Sequence, residues 1–349
     1  WREVMMLRTY ARYLKQIGIA YSQTYIAETL IANAAITKQL VVLFHLCFDP
    51  TVVRDVNETQ RIENQIIQAL NDVASLDQDK IIRRYLNVLS ATLRTNFYQQ
   101  TETSAAKKYF SFKFDSHKIA ELPEPWPTYE VFVYSPEFEG IHLRAAKVAR
   151  GGLRWSDRRE DFRTEVLGLM KAQQVKNSLI IPQGAKGGFV VKCLLPTDER
   201  QVRRDKGIAC YKDFIRGLLD ITDNLKGQQI VMPDSVVRYD DDDSYLVVAA
   251  DKGTADFSDI ANQLSQEYHF WLDDAFASGG KTGYDHKRMG ITARGAWESV
   301  KRHFRALHQD IENHDVTVIG IGDMAGDVFC NGMMLSKHIR LIADFNHLH

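Results

Sequence analysis

Three lysines and one aspartate are the residues with which this sequence could do chemistry. In "QVKNSLIIPQGAKGGFVVK", residues 174–192, Lys186 stands among Gly184, Gly187 and Gly188. Glycines tolerate a crowded backbone, so Lys186 is expected to project from a strand-to-strand turn into a cleft. Lys171 and Lys176 fall in the helical pattern "DFRTEVLGLMKAQQVK" just before it. Three ammonium groups about one cleft would attract a carboxylate substrate. Their mutual repulsion and partial burial would lower the pKa of one of them toward neutrality and make it a usable base. In "VVAADKGTADFSD", Asp251 ends an apolar run, where a strand presents its C-terminal end to a crevice. A carboxylate opposite a lysine is a general acid/base arrangement. The bland alternatives are solvated lysines and a turn or cap aspartate; the three glycines set Lys186 apart from an ordinary surface lysine.

A second kind of chemistry is written in "VIGIGDMAGDVFCNG". Gly320, Gly322 and Gly326 follow a strand pattern and open a helix pattern, which lets backbone approach a pyrophosphate and offers it helix N-terminal N–H groups. The spacing is one residue longer than the commonest dinucleotide fingerprint. Asp344 is the candidate acid for the ribose. The 11 histidines show no metal-ligand spacing, and the four cysteines form no CxxC pair, so no metal site is expected and the thiols suit a reducing cytoplasm.

The elements that must position these residues change character along the chain. Residues 1–110 read as helical: in "RIENQIIQALNDVASL" Ile62, Ile66, Ile67, Leu70 and Val73 recur at helical spacing, and Asp77 stands where a cap would begin the next helix. Prolines 123, 125 and 127 follow a polar stretch and mark a connection. Residues 111–285 then alternate β-rich runs ("TYEVFVYS", "IHLRAAKVA", "SLIIPQ", "GFVVKCLL", "QQIVMP", "YLVVAA") with helical patterns, which predicts an α/β substrate domain. "GGLRWSDRREDFRTE" reads as a helix entrance whose glycine pair that reading does not explain, and "YDDDD" as a solvated turn. Residues 286–349 run helix, strand, glycine turn, helix, strand, the start of a Rossmann-like βαβ domain. The closing "HLH" reads as a loop. With 44 Lys plus Arg against 45 Asp plus Glu in 349 residues, charge gives no reason for a nucleic-acid or membrane partner. The start at Trp1 and the stop soon after a strand pattern suggest a piece of something longer.

At these motifs the sequence resembles a known family. "KVARGGLRWSDRREDFRTEVLGLMKAQQVKNSLIIPQGAKGGFVVK", "YLVVAADKGTADFSD", "GYDHKRMGITARGAWESVKRHF" and "GIGDMAGDVFCNGMMLS" are similar to the large NAD-dependent glutamate dehydrogenases of bacteria. The resemblance implies a homo-oligomer that converts L-glutamate and NAD to 2-oxoglutarate, ammonium and NADH. It makes Lys186 the catalytic lysine and Asp251 the catalytic aspartate, at a cleft between substrate and nucleotide domains. It also puts Arg150 and Lys176 on the substrate carboxylates, and Thr292 at the helix start that faces the nicotinamide. Arg150 stands where the family has lysine, a fork in place of a point charge. Cys330 stands where the family has glycine, and is expected to crowd the helix against the sheet or the cofactor. Two other readings are a dehydrogenase of another amino acid on the same scaffold and a non-catalytic NAD-sensing module.

Overall fold

The computed structural model describes the chain except residues 102, 177–180, 255, 279–288, 323, 325 and 347–349. "SLII" at 178–181 falls largely outside the described residues, as do "HLH" and the boundary expected at 285/286. The chain divides into two compact units, Trp1–Gly280 and Lys281–His349.

The first unit opens with five helices, α1 (Arg2–Gln16), α2 (Gln23–Ala32), α3 (Ala34–Phe48), α4 (Val56–Leu70) and α5 (Leu76–Ser90). Helix α4 buries Ile62, Ile66 and Leu70, whereas Ile67 is exposed and Val73 lies past the helix end. The cap of α5 is Ser75, whose hydroxyl accepts the N–H of Gln78. Asp77 therefore sits in the first turn, where a carboxylate favours the helix dipole instead of capping it.

A seven-stranded mixed sheet follows, in the order β1-β2-β3-β4-β6-β5-β9. Its members are β1 (Thr92–Thr95), β2 (Phe110–Asp115), β3 (Tyr129–Tyr134), β4 (Phe138–Arg144), β5 (Ala149–Trp155), β6 (Gln183–Val191) and β9 (Val247–Ala250). Helix α6 (Phe162–Lys176) links β5 to β6. After β6 come α7 (Arg200–Leu219), the small hairpin β7 (Asn224–Lys226) and β8 (Gln229–Val231), then β9 and α8 (Ser258–Glu267). Pairing is antiparallel from β1 to β6 and parallel across β6, β5 and β9.

Strand alternation gives the sheet two apolar faces. On one, Phe112, Phe114, Phe132, Ile141 and Val190 join the helices α1–α5 and α6 in a single core. On the other, Val131, Val133, Leu153 and Phe189 pack under α7 and α8. The boundary expected near residue 110 falls inside this unit, at the start of β2, because the helices and the sheet share one core.

Two buried ionic assemblies fix the layers. Arg163 of α6 pairs with Glu130 of β3, which also accepts the Tyr13 hydroxyl at 2.9 Å. On the opposite face "YDDDD" is solvated only in part: Tyr239, Asp241 and Asp242 are exposed, and its first and last aspartates turn inward. Asp240 and Asp243 are buried against Lys113, Arg94 and Arg144, while Asp242 bonds Arg238. Inward-pointing cations on β1, β2 and β4 have no counter-charge in the sheet, so the aspartate loop supplies it.

The second unit holds α9 (Ile291–Ala306), β10 (Val316–Ile321), α10 (Asp327–Met333) and β11 (Ile339–Phe345), with β10 and β11 parallel. This is the βαβ order that the sequence predicts.

Candidate active site

Lys186 lies within strand β6, not in a turn, and its glycine neighbours serve packing. A Cβ on Gly188 would reach Val166 of α6 at 2.7 Å, and one on Gly184 would reach the Gln173 and Gln174 backbone at 2.9 Å. Both bring α6 down onto the face from which Lys186 projects. Between β6 and β9 runs β5, with Gly152 paired to Ala249. Its missing side chain leaves a gap across which Lys186 Nζ and Asp251 Oδ2 meet at 2.7 Å. A Cβ on Gly152 would sit 3.2 Å from Lys186 Nζ and 3.0 Å from Asp251 Cβ. At Gly151 a Cβ would run into the Ala185 carbonyl oxygen. The glycine pair is thus a strand feature, one member admitting the neighbouring backbone and the other admitting the ion pair.

Asp251 is set by the turn after β9. Its N–H donates to the Thr254 hydroxyl at 3.1 Å, and that hydroxyl donates to the Leu153 carbonyl at 2.6 Å. Trp155 N–H donates to the Lys252 carbonyl, and Gly253 takes φ +82 against the Trp155 side chain. Burial pushes the Asp251 pKa up, but hydrogen bonds from Lys186, Arg154 and the Lys252 N–H outweigh it and hold the carboxyl below its usual range. Arg154 donates its Nε to Asp251 Oδ2 at 3.2 Å and its Nη1 to Glu165 of α6 at 3.0 Å. Ser156 donates to the other Glu165 oxygen at 2.5 Å.

The remaining expected groups are placed differently. Arg150 is exposed at the start of β5, beside Gly184 of β6. Lys171 and Lys176 are exposed on α6. The contact that Lys186 makes is therefore with a carboxylate, not with the other ammonium groups.

In the second unit Gly320 pairs with Asp344, and a Cβ there would meet Asp344 Oδ1 at 2.8 Å and run into the Phe329 ring. Gly322 adopts φ +151, and Gly326 caps α10. Asp344 Oδ1 is buried without a hydrogen-bond partner. An acceptor left unsatisfied beside a glycine turn fits a hydroxyl donor from a bound ribose. Thr292 is exposed in the first turn of α9, whose cap Gly290 would place a Cβ 3.9 Å from Asn331 of α10. The side chain pressed on the glycine strand is Phe329, whereas Cys330 is partly exposed.

Residues 65–349 match the catalytic-domain model of the bacterial NAD-glutamate dehydrogenases, and residues 1–50 match glutamate dehydrogenase helical motif 3. The chain belongs to the bacterial NAD-glutamate dehydrogenase family. NAD-specific glutamate dehydrogenases of Halomonas elongata, Pseudomonas aeruginosa and Mycobacterium tuberculosis are 60%, 58% and 55% identical to it across its whole length. The chain spans 22% of the length of each.

Within this glutamate dehydrogenase catalytic domain, sequence reasoning missed Arg154, Glu165, Ser156 and Thr254. Arg154 carried a usable signal. It stands two residues after Gly152, so strand period puts it on the same face as the gap. Glu165 had none, because its pairing crosses from α6 to β5.

Proposed function

We propose that the polypeptide carrying this chain oxidatively deaminates L-glutamate to 2-oxoglutarate and ammonium with NAD. The observation that supports it is the Lys186–Asp251 pair, 2.7 Å apart across Gly152. Gly320, Gly322, Gly326, Asp344 and Thr292 would hold NAD, which would supply the acceptor for the hydride that leaves the substrate α-carbon, the substrate becoming an iminium ion. Lys186, working as a neutral amine, takes a proton from water as its oxygen attacks the iminium carbon. Asp251, 2.7 Å from Lys186, passes that proton on to the nitrogen, and Lys186, neutral again, takes the hydroxyl proton as the carbonyl forms and ammonia leaves. Arg150, Lys176 and Lys171 receive the substrate carboxylates.

The test is NADH formation by the full-length protein with glutamate, set against NADP and against leucine, valine and phenylalanine. Absorbance that depends on glutamate and NAD is the expected result. Turnover of leucine in preference to glutamate would shift the assignment to another amino acid on the same scaffold, and NAD binding without turnover of any of them would overturn catalysis. We also propose a homo-oligomer, as the family resemblance implies, and a cytoplasmic location, which the four free thiols support. Light scattering and cell fractionation test these.

A further inference from the structure

The ion pair at the centre of the site poses a chemical difficulty. To take a proton from water Lys186 must be a neutral amine, and in that form it no longer offsets the Asp251 charge. A half-buried carboxylate that loses its counter-ion is destabilised and tends to take up a proton, which would end its use as a shuttle. The structure provides a second cation on the same oxygen. Arg154 Nε lies 3.2 Å from Asp251 Oδ2, the atom that also accepts from Lys186 at 2.7 Å. A guanidinium stays charged throughout the pH range of any enzyme.

Arg154 is itself held in place. Its Nη1 donates to Glu165 at 3.0 Å, and Ser156, two residues further along the chain, donates to the other Glu165 oxygen at 2.5 Å. Glu165 sits on α6, whose approach to the sheet is set by Gly184 and Gly188. Among the described residues, the charged groups facing Asp251 are thus Lys186 from β6 and Arg154 from β5, with Glu165 from α6 behind the guanidinium. Two cations and two carboxylates cancel, and Arg154 is the bridge between the reactive pair and the helix.

We propose that Arg154 is a positioning residue for the reaction. It keeps Asp251 ionised and aimed during the part of the cycle in which Lys186 is neutral, and Glu165 and Ser156 clamp it for that purpose. This rests on the deamination reading above and adds to it a residue that acts through Asp251 without touching substrate.

The experiment measures the pH dependence of kcat and the KM for glutamate in the full-length protein, with Arg154→Gln, Arg154→Lys and Glu165→Gln beside wild type. In Arg154→Gln, kcat is expected to fall about 10- to 100-fold, within the range of a general acid/base contribution. The acidic limb of its profile moves to higher pH, while KM changes less than about 3-fold. Arg154→Lys recovers part of kcat, because a single ammonium reaches Asp251 or Glu165 but not both. Glu165→Gln, which leaves the guanidinium in place but unclamped, lowers kcat by less than Arg154→Gln and does not move the limb to higher pH. An unmoved acidic limb, or a loss expressed mainly in KM, overturns the proposal. If wild type itself does not oxidise glutamate, the function reading fails, and the positioning claim is then read from crystal structures of Lys186→Gln, which removes the lysine charge, with and without Arg154→Gln. An Asp251 carboxylate that keeps its place in Lys186→Gln and leaves it in the double variant sustains the claim, and one that stays in both sinks it.

Discussion

Replacing Gly152 with alanine adds one methyl group at the point where three strands bring the reactive pair together. The new Cβ lies 3.0 Å from Asp251 Cβ, 3.2 Å from the Ala250 carbonyl oxygen and 3.2 Å from Lys186 Nζ. Ordinary contact begins near 3.4 Å, so relief requires a shift of a few tenths of an ångström. The Ala250 oxygen is backbone within a paired strand and yields little; the end of the lysine side chain yields most. Misplacement of a reacting group by about 1 Å costs on the order of 100-fold in rate, so a shift near half that predicts about a 10-fold loss in kcat. Overpacking strain of about 1–3 kcal/mol is partly offset by the roughly 0.5–1 kcal/mol that alanine recovers over glycine in a strand. Activity should therefore fall well before stability does. The assay is kcat for glutamate-dependent NADH formation beside the thermal midpoint of the same full-length preparations. Gly151→Ala serves as contrast, because its Cβ runs into a carbonyl on the adjacent strand and should prevent normal folding. A Gly152→Ala protein with wild-type kcat, or one whose loss follows its unfolding, would refute the view that this glycine exists to admit the pair.

Two further outcomes follow from the geometry. Asp243→Asn leaves Arg144 buried without its carboxylate and Lys113 with Asp240 alone, and should cost about 3–5 kcal/mol in chemical denaturation. Burial pushes the Asp243 pKa up, but Arg144 and Lys113 overcome it and hold it far below the usual range. Its stabilisation is therefore complete above the unfolded value of about 3.9 and drains away as pH falls toward the folded one, so the variant should show a shallower slope of stability below pH ~4 than wild type. Asp344→Ala removes an oxygen that is buried without a partner, and should leave the thermal midpoint unchanged or higher. The same change should weaken NAD by about 10- to 100-fold in calorimetry, the worth of a hydrogen bond to a charged group; unchanged affinity would remove Asp344 from the nucleotide site.

Much of the fold could be read from local pattern. Alternation in "TYEVFVYS" and the strand–glycine–helix order of 316–345 correspond to β3 and to the β10-α10-β11 unit. Periodicity was less informative at the helix ends, where Ser75 took the cap from Asp77 and Val73 fell outside α4. At the site, Lys186 and Asp251 could be singled out by residue type and neighbours, and the structure brings them together. What could not be read was anything that depends on strand order. The sequence runs β4, β5, β6, yet β6 lies between β4 and β5, and this exchange puts Gly152 beside Lys186. The same holds for "YDDDD", whose run of like charge looks solvated until buried Arg94, Lys113 and Arg144 appear opposite it.

Strand β9 is a short edge strand, four residues long, with β5 as its ladder partner. An aspartate stands beyond each of its ends: Asp243 reaches Arg144 on one face of the sheet, and Asp251 reaches Lys186 and Arg154 on the other. The ladder is short, and Val248, buried in the core and bridged to Ala277, sets which side of it faces inward. The two carboxylates act as opposed stops, because sliding the strand by one position would turn Asp251 to the wrong side and tear Asp243 from its cations in the same motion. Register here behaves as a switch with a single permitted setting, and the reactive carboxylate takes its address from that setting.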